Sequence, residues 1–136
     1  MYDLKDRTKK YALDVIRFCS GLPQKQEYWI ISKQLMRSAT SVGANYRSAR
    51  RAKSRPDFIA KLSIVEEEAD ECLYWLELLE ALISKPNNEL LRVKHEANEL
   101  LSIIVASKKT ARANQPNNIL FDVRTSNFAL TGVVVC

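Results

Sequence analysis

Four cations, Lys33, Arg37, Arg47 and Arg51, recur at helical spacing, and on an α-helix they collect within an arc of roughly 80°. A row of ammonium and guanidinium groups like this does electrostatic chemistry. It can track phosphates, release their counterions and give salt-dependent, sequence-tolerant binding to RNA or DNA. The surrounding charges are segregated: Lys33 to Lys61 holds eight Lys/Arg against the single acid Asp57, whereas Leu62 to Ser84 holds seven acids and no base. Glu66, Glu67, Asp70 or Glu71 could therefore answer part of the stripe, within one chain or between chains. Exposed pairs of that kind contribute only ~0 to 1 kcal/mol each, but they occupy the charges. Two functions stay open on the residues alone: nucleic-acid binding, and a protein-interaction scaffold whose basic stripe forms salt bridges between helices or subunits.

Catalytic constellations are not evident. A di-iron helical bundle needs Glu-x-x-His pairs that project carboxylate and imidazole together, and the only histidine lies in Arg92-Val93-Lys94-His95. His95, beside Lys94 and Glu96, reads as a solvated surface residue. The consecutive acids Glu66-Glu67-Glu68 point around a helix and do not converge on a metal. There is no Gly-rich phosphate loop, no G-x-S-x-G and no cysteine with a histidine partner in the pattern, so neither an enzyme nor a cofactor is expected.

The elements that must position the charges are helices. Only three Gly and four Pro in 136 residues, with 27% charged residues, is the composition of long helices in one domain. A first helix is expected from about Leu4 to Ser20, with Leu4, Tyr11, Val15 and Phe18 on one face and Gly21 and Pro23 as stop signals. A second is expected from about Glu27 to Lys53, its inner face built from Ile31, Leu35, Ala39, Val42, Tyr46 and Ala49 with the small Ser38 and Ser41. The third begins where Ser54 can cap and Asp57 can reach back, with Pro56 tolerated in the first turn, and runs to about Ile83. Ser84-Lys85-Pro86-Asn87-Asn88 breaks the chain, and a fourth helix follows to about Arg112 through Leu90, Ala97, Leu101, Ile104 and Ala111. Short links make successive helices antiparallel, so the expected fold is all-α, an up-down-up-down four-helix bundle over 1–115. Residues 116–136 lack helical periodicity and read as a non-helical, poorly ordered tail, with strand pairing the alternative.

The third helix carries more apolar surface than one core uses. Phe58, Leu62, Val65, Ala69, Cys72, Leu76, Leu79 and Ile83 form a heptad seam, while Ile64, Trp75, Leu78 and Leu82 form a second stripe flanked by Glu68 and Glu71. Such a stripe reads as a subunit interface, the alternative being that the first or fourth helix covers it within one chain. Cys19, Cys72 and Cys136 form no C-x-x-C pair, and Cys19 and Cys72 occupy apolar helix positions where a free thiol acts as a small hydrophobe. With a polar N-terminus and no apolar run long enough to span a bilayer, a cytoplasmic chain without membrane contact is expected. The net charge of +5 adds a weak hint of an anionic partner.

The stretch from Gln34 to Tyr46 (QLMRSATSVGANY), followed by Ser54-x-x-Asp57-Phe58-x-x-Lys61-Leu62 and Glu68-Ala69-Asp70-Glu71-x-x-Tyr74-Trp75-Leu76, resembles a bacterial family. It is similar to the four-helix bundle proteins related to the ribosomal RNA intervening-sequence protein, themselves similar to the accessory variability protein of diversity-generating retroelements. The similarity covers roughly residues 4 to 112. The resemblance implies an up-down bundle that assembles into a homo-oligomeric ring, commonly a pentamer, with a basic surface suited to nucleic acid or to a reverse-transcriptase partner. It brings no catalytic residues. Where other branches carry Asn-Ile-x-Glu-Gly, this chain has Asn45-Tyr46-Arg47-Ser48-Ala49.

Overall fold

The computed structural model describes residues 3–114, and the expected tail at 116–136 lies outside them. Four helices follow in order: α1 (Leu4–Ser20), α2 (Gln26–Ala49), α3 (Arg55–Leu82) and α4 (Asn88–Ala113). They form an antiparallel up-down-up-down bundle in which α1 packs on α2, α2 on α3, α3 on α4, and α4 back on α1.

Three of the four starts have a side-chain cap, α2 beginning after Lys25 without one. The Asp3 carboxylate accepts from the Lys5 amide (3.2 Å), the Ser54 hydroxyl from the Asp57 amide (3.2 Å), and the Asn87 side chain from the Leu90 amide (3.0 Å), so three helices begin with an orphan donor satisfied. Asp57 does reach back, but to the amide of Lys53 (3.0 Å), one residue before the cap. Gly21 closes α1 in the right-handed region (φ −92°), so its freedom to turn left-handed is not used.

The expected second helix ends four residues early. After Ala49 the amides of Arg51 and Ala52 bond to the carbonyls of Ser48 and Ala49, a tightening to i→i+3 bonds that lets the chain reverse before Ser54. Arg51 therefore sits in the turn after α2.

The core follows the apolar periodicity. Leu4, Tyr11, Val15 and Phe18 of α1 are buried, as are Leu35, Ala39, Val42, Tyr46 and Ala49 of α2. From α3 come Phe58, Leu62, Val65, Ala69, Cys72, Leu76 and Leu79, whereas Ile83 caps the helix half-buried. α4 adds Leu90, Val93, Ala97, Leu100, Ile103 and Ile104; Leu101 is only half-buried. Ser38 is fully buried without cost to its hydroxyl, which donates to the Leu35 carbonyl (3.1 Å) and receives the Cys72 thiol (3.4 Å). Cys19 and Cys72 are free thiols, and burial raises both to about 11. Among the described residues no helix is long and apolar enough to cross a membrane.

Candidate nucleic-acid interface

Antiparallel packing brings the α1 start, the α2 end, the α3 start and the α4 end together. Two contacts fix this end of the bundle: Arg50 donates to the Asp3 carboxylate (3.0 Å), and the Arg55 guanidinium donates to the Asn114 carbonyl. Tyr28, donating to the Leu82 carbonyl (3.2 Å), marks the opposite end. The basic block from Arg47 to Lys61 straddles the α2–α3 turn, so it becomes a basic end of the bundle more than a stripe along one helix. Lys5 and Lys9 of α1 and Lys109 and Arg112 of α4 join it. The C-termini of α2 and α4 meet the N-termini of α1 and α3 here, so the helix dipoles largely offset one another and the charge of this end is that of its side chains.

The four cations of the expected stripe have different fates. Arg37 is engaged: its guanidinium lies 3.5 Å from Glu68 and donates to Glu71, both on α3. Lys33 is exposed and places its ammonium 5.3 Å from the centre of the Trp29 ring. Arg47 and Arg51 are exposed and, among the described residues, have no ion-pair partner; the same holds for the side chains of Lys5, Lys9, Lys53, Lys109 and Arg112. Most other cations are paired: Arg7 with Glu96 (2.7 Å), Arg92 with Asp14 and Glu89 (3.2 and 2.7 Å), Lys94 with Glu80 (2.8 Å), and Lys108 with Glu66 (2.8 Å). At the basic end itself Asp3 pairs with Arg50 (3.0 Å) and Asp57 with Lys61 (2.9 Å), so the cations without an ion pair outnumber the acids left to meet them.

On α3 the expected interface splits. Glu68 and Glu71 face α2 through Arg37, and the Trp75 indole donates to Glu71 (3.0 Å) while packing against the core. The Trp75 indole, and then Arg37, hold the Glu71 carboxyl below its ordinary value of 4.5. Ile64 and Leu82 stay exposed and Leu78 half-buried, with Tyr74 exposed beside Trp75. The stripe is thus partly covered within the single chain, at Trp75 and Leu78, and open at Ile64 and Leu82.

His95 is exposed and 3.4 Å from Glu99. Among the described residues no cluster of His, Cys, Asp and Glu is placed to hold a metal.

The profile of the 23S rRNA-intervening sequence protein family matches residues 2–106. The chain belongs to that family. A solved structure supports the assignment: a protein of unknown function of the S23 ribosomal protein family from Bacteroides thetaiotaomicron superposes with a TM-score of 0.71 at 35% identity, covering 77% of this chain and 97% of its own. No curated protein matches. The intervening-sequence family is thus fixed by sequence and by fold together. The match spans the first three helices and most of α4, and includes all of the charged surface described above except Lys108, Lys109 and Arg112.

One residue escaped the sequence reading. Among the described residues Trp29 is the most exposed of the large apolar side chains, at 64%. Its signal was the spacing Trp29-x-x-x-Lys33, which stacks a cation on an aromatic ring one helical turn away.

Proposed function

We propose that this intervening-sequence family member is a non-enzymatic, homo-oligomeric protein that binds RNA or DNA through the basic end of the bundle, with Arg47 and Arg51 at its centre. The observation that carries the reading is the contrast between those two arginines and Arg37. Arg37 is consumed by Glu68 and Glu71, whereas Arg47 and Arg51 stand exposed among other unneutralised cations. Such a cluster suits phosphates, which fix a protein on a nucleic acid without reading its sequence. The family's name refers to 23S rRNA, which makes RNA the first probe. A cytoplasmic location goes with this reading.

Oligomerisation is proposed on the partly open α3 stripe, because an apolar row of Ile64, Leu78 and Leu82 beside Tyr74 and Trp75 costs free energy when left in water. Five copies is the number that the resemblance implies. The scaffold reading keeps one specific support, the Arg37 pairing, which shows how a base of α2 can serve helix packing instead of a ligand.

The test is double charge reversal, Arg47→Glu with Arg51→Glu. Loss of RNA and DNA binding at low salt with unchanged helicity is expected; full binding by that variant, or none by the wild type, overturns the proposal. For assembly, Ile64→Glu should reduce the mass in light scattering to one chain, and a wild type already at one-chain mass removes the oligomer.

A further inference from the structure

The outer face between α1 and α2 carries two depressions in line. Near the basic end, a cleft of about 460 Å³ is rimmed by Lys5, Lys9 and Arg47, with Asp6 the only acid among its lining residues and Thr40, Gly43 and Ala44 as a small-residue floor. Toward the other end, a groove of about 790 Å³ is lined by Ile16, Leu22, Tyr28, Trp29 and Met36, with Lys25 and Lys33 and no acid. A single face of α2 lines both, because Trp29, Lys33, Met36, Thr40, Gly43 and Arg47 recur every three or four residues. From Trp29 to Arg47 that face runs about 27 Å at ~1.5 Å per residue.

Cations at one end and an exposed, flat aromatic at the other ask for a ligand with both anionic and planar apolar parts. Single-stranded nucleic acid has both; in a duplex the base faces are hidden in the stack. Resting on the basic-end reading above, we propose that the α1–α2 face seats a single strand, its phosphates over Arg47, Lys9 and Lys5 and one base stacked on Trp29. Lys33, now over the Trp29 ring, would give its ammonium to a phosphate when a base takes its place. The groove lining holds no acid and the cleft lining only Asp6, so cations outnumber acids along the path of the anionic backbone. The small floor of the cleft lets the chain approach α2 closely, since no long side chain stands between Thr40 and Arg47 on that face.

The experiment uses the full chain with a fluorescein-labelled mixed-sequence RNA strand, the same strand as DNA, and each annealed to its complement. Anisotropy reports affinity, and Trp29 emission is read in a Trp75→Phe background. Trp29→Ala is expected to weaken single-strand binding about ten-fold and leave duplex binding unchanged, with Trp29→Phe restoring most of the loss. Arg47→Glu is expected to weaken both, and the single strand to quench Trp29. Equal affinity for strand and duplex, or a Trp29→Ala chain that binds the strand as the wild type does while Arg47→Glu still fails, sinks this inference and leaves the basic-end reading standing. No binding of any probe by the wild type removes both. The RNA and DNA arms show which strand is preferred.

Discussion

Reversing Arg37 should destabilise the bundle and reversing Arg47 should not, although both are exposed arginines of α2 ten residues apart. The Arg37 side chain is about half exposed (49%) and meets Glu68 and Glu71, which are 20% and 35% exposed. Exposed ion pairs contribute ~0 to 1 kcal/mol each, so their loss costs about 1 kcal/mol. A glutamate set about 4 Å from a carboxylate in a water-like dielectric adds roughly 1 kcal/mol of repulsion, part of which the side chain escapes by swinging outward. Arg37→Glu should therefore destabilise the bundle by about 1 to 2 kcal/mol, a fall in Tm of roughly 4 to 10 °C for a domain of this size. Arg47→Glu breaks no pair and faces Lys5 and Lys9 across the cleft, so its effect on stability should stay within about 0.5 kcal/mol. Thermal and urea unfolding followed by circular dichroism, at matched chain concentration, measures both. Raising the salt to about 0.5 M should shrink the Arg37→Glu deficit by screening. An Arg37→Glu chain that melts with the wild type, or an Arg47→Glu chain that loses as much, would refute the division of the arginines.

Acid should loosen the α2–α3 contact. Glu71 has a depressed folded-state pKa, so the stability it contributes is present above its ordinary value of 4.5 and is lost as pH falls through the lower folded-state value. Urea titrations between about pH 6 and 3 should show a smaller loss for a Trp75→Phe, Arg37→Gln chain than for the wild type; equal losses would remove Glu71 from the acid response. Gly43→Ala should stabilise by up to ~1 kcal/mol, because Gly43 is helical and an added Cβ would rest in ordinary contact, 3.5 Å from the Thr8 carbonyl. A fall in Tm for that variant would mean α1 and α2 pack more tightly than described.

The helices were legible because periodicity and caps agree. Leu4–Ser20 was placed to the residue, Ser54 and Asn87 cap where a short polar side chain precedes an apolar run, and the heptad from Phe58 to Leu79 is buried throughout. What a single-helix projection cannot carry is what stands opposite. Arg37 and Arg47 look alike on the wheel, yet α3 offers Glu68 and Glu71 to the first and nothing to the second. Glu66, one of the acids expected to answer the basic stripe, turns instead to Lys108 of α4. Arg51 left the stripe because the turn to α3 begins four residues earlier than helix propensity suggests. The gathering of cations at one end depends on the antiparallel order of all four helices, and the groove beside Trp29 needs Ile16, Cys19 and Ser20 of α1 set against the start of α2.

The salt dependence of RNA binding by the wild-type chain tests the central claim most directly. If about four cations, Lys5, Lys9, Arg47 and Arg51, meet phosphates of a single strand, the slope of log K against log salt is about −3, and raising salt from about 50 to 200 mM costs about fifty-fold in affinity. The Arg47→Glu, Arg51→Glu chain should bind too weakly to define a slope. A flat salt response, or a steep one unchanged by the double reversal, would contradict a basic end that works on phosphates.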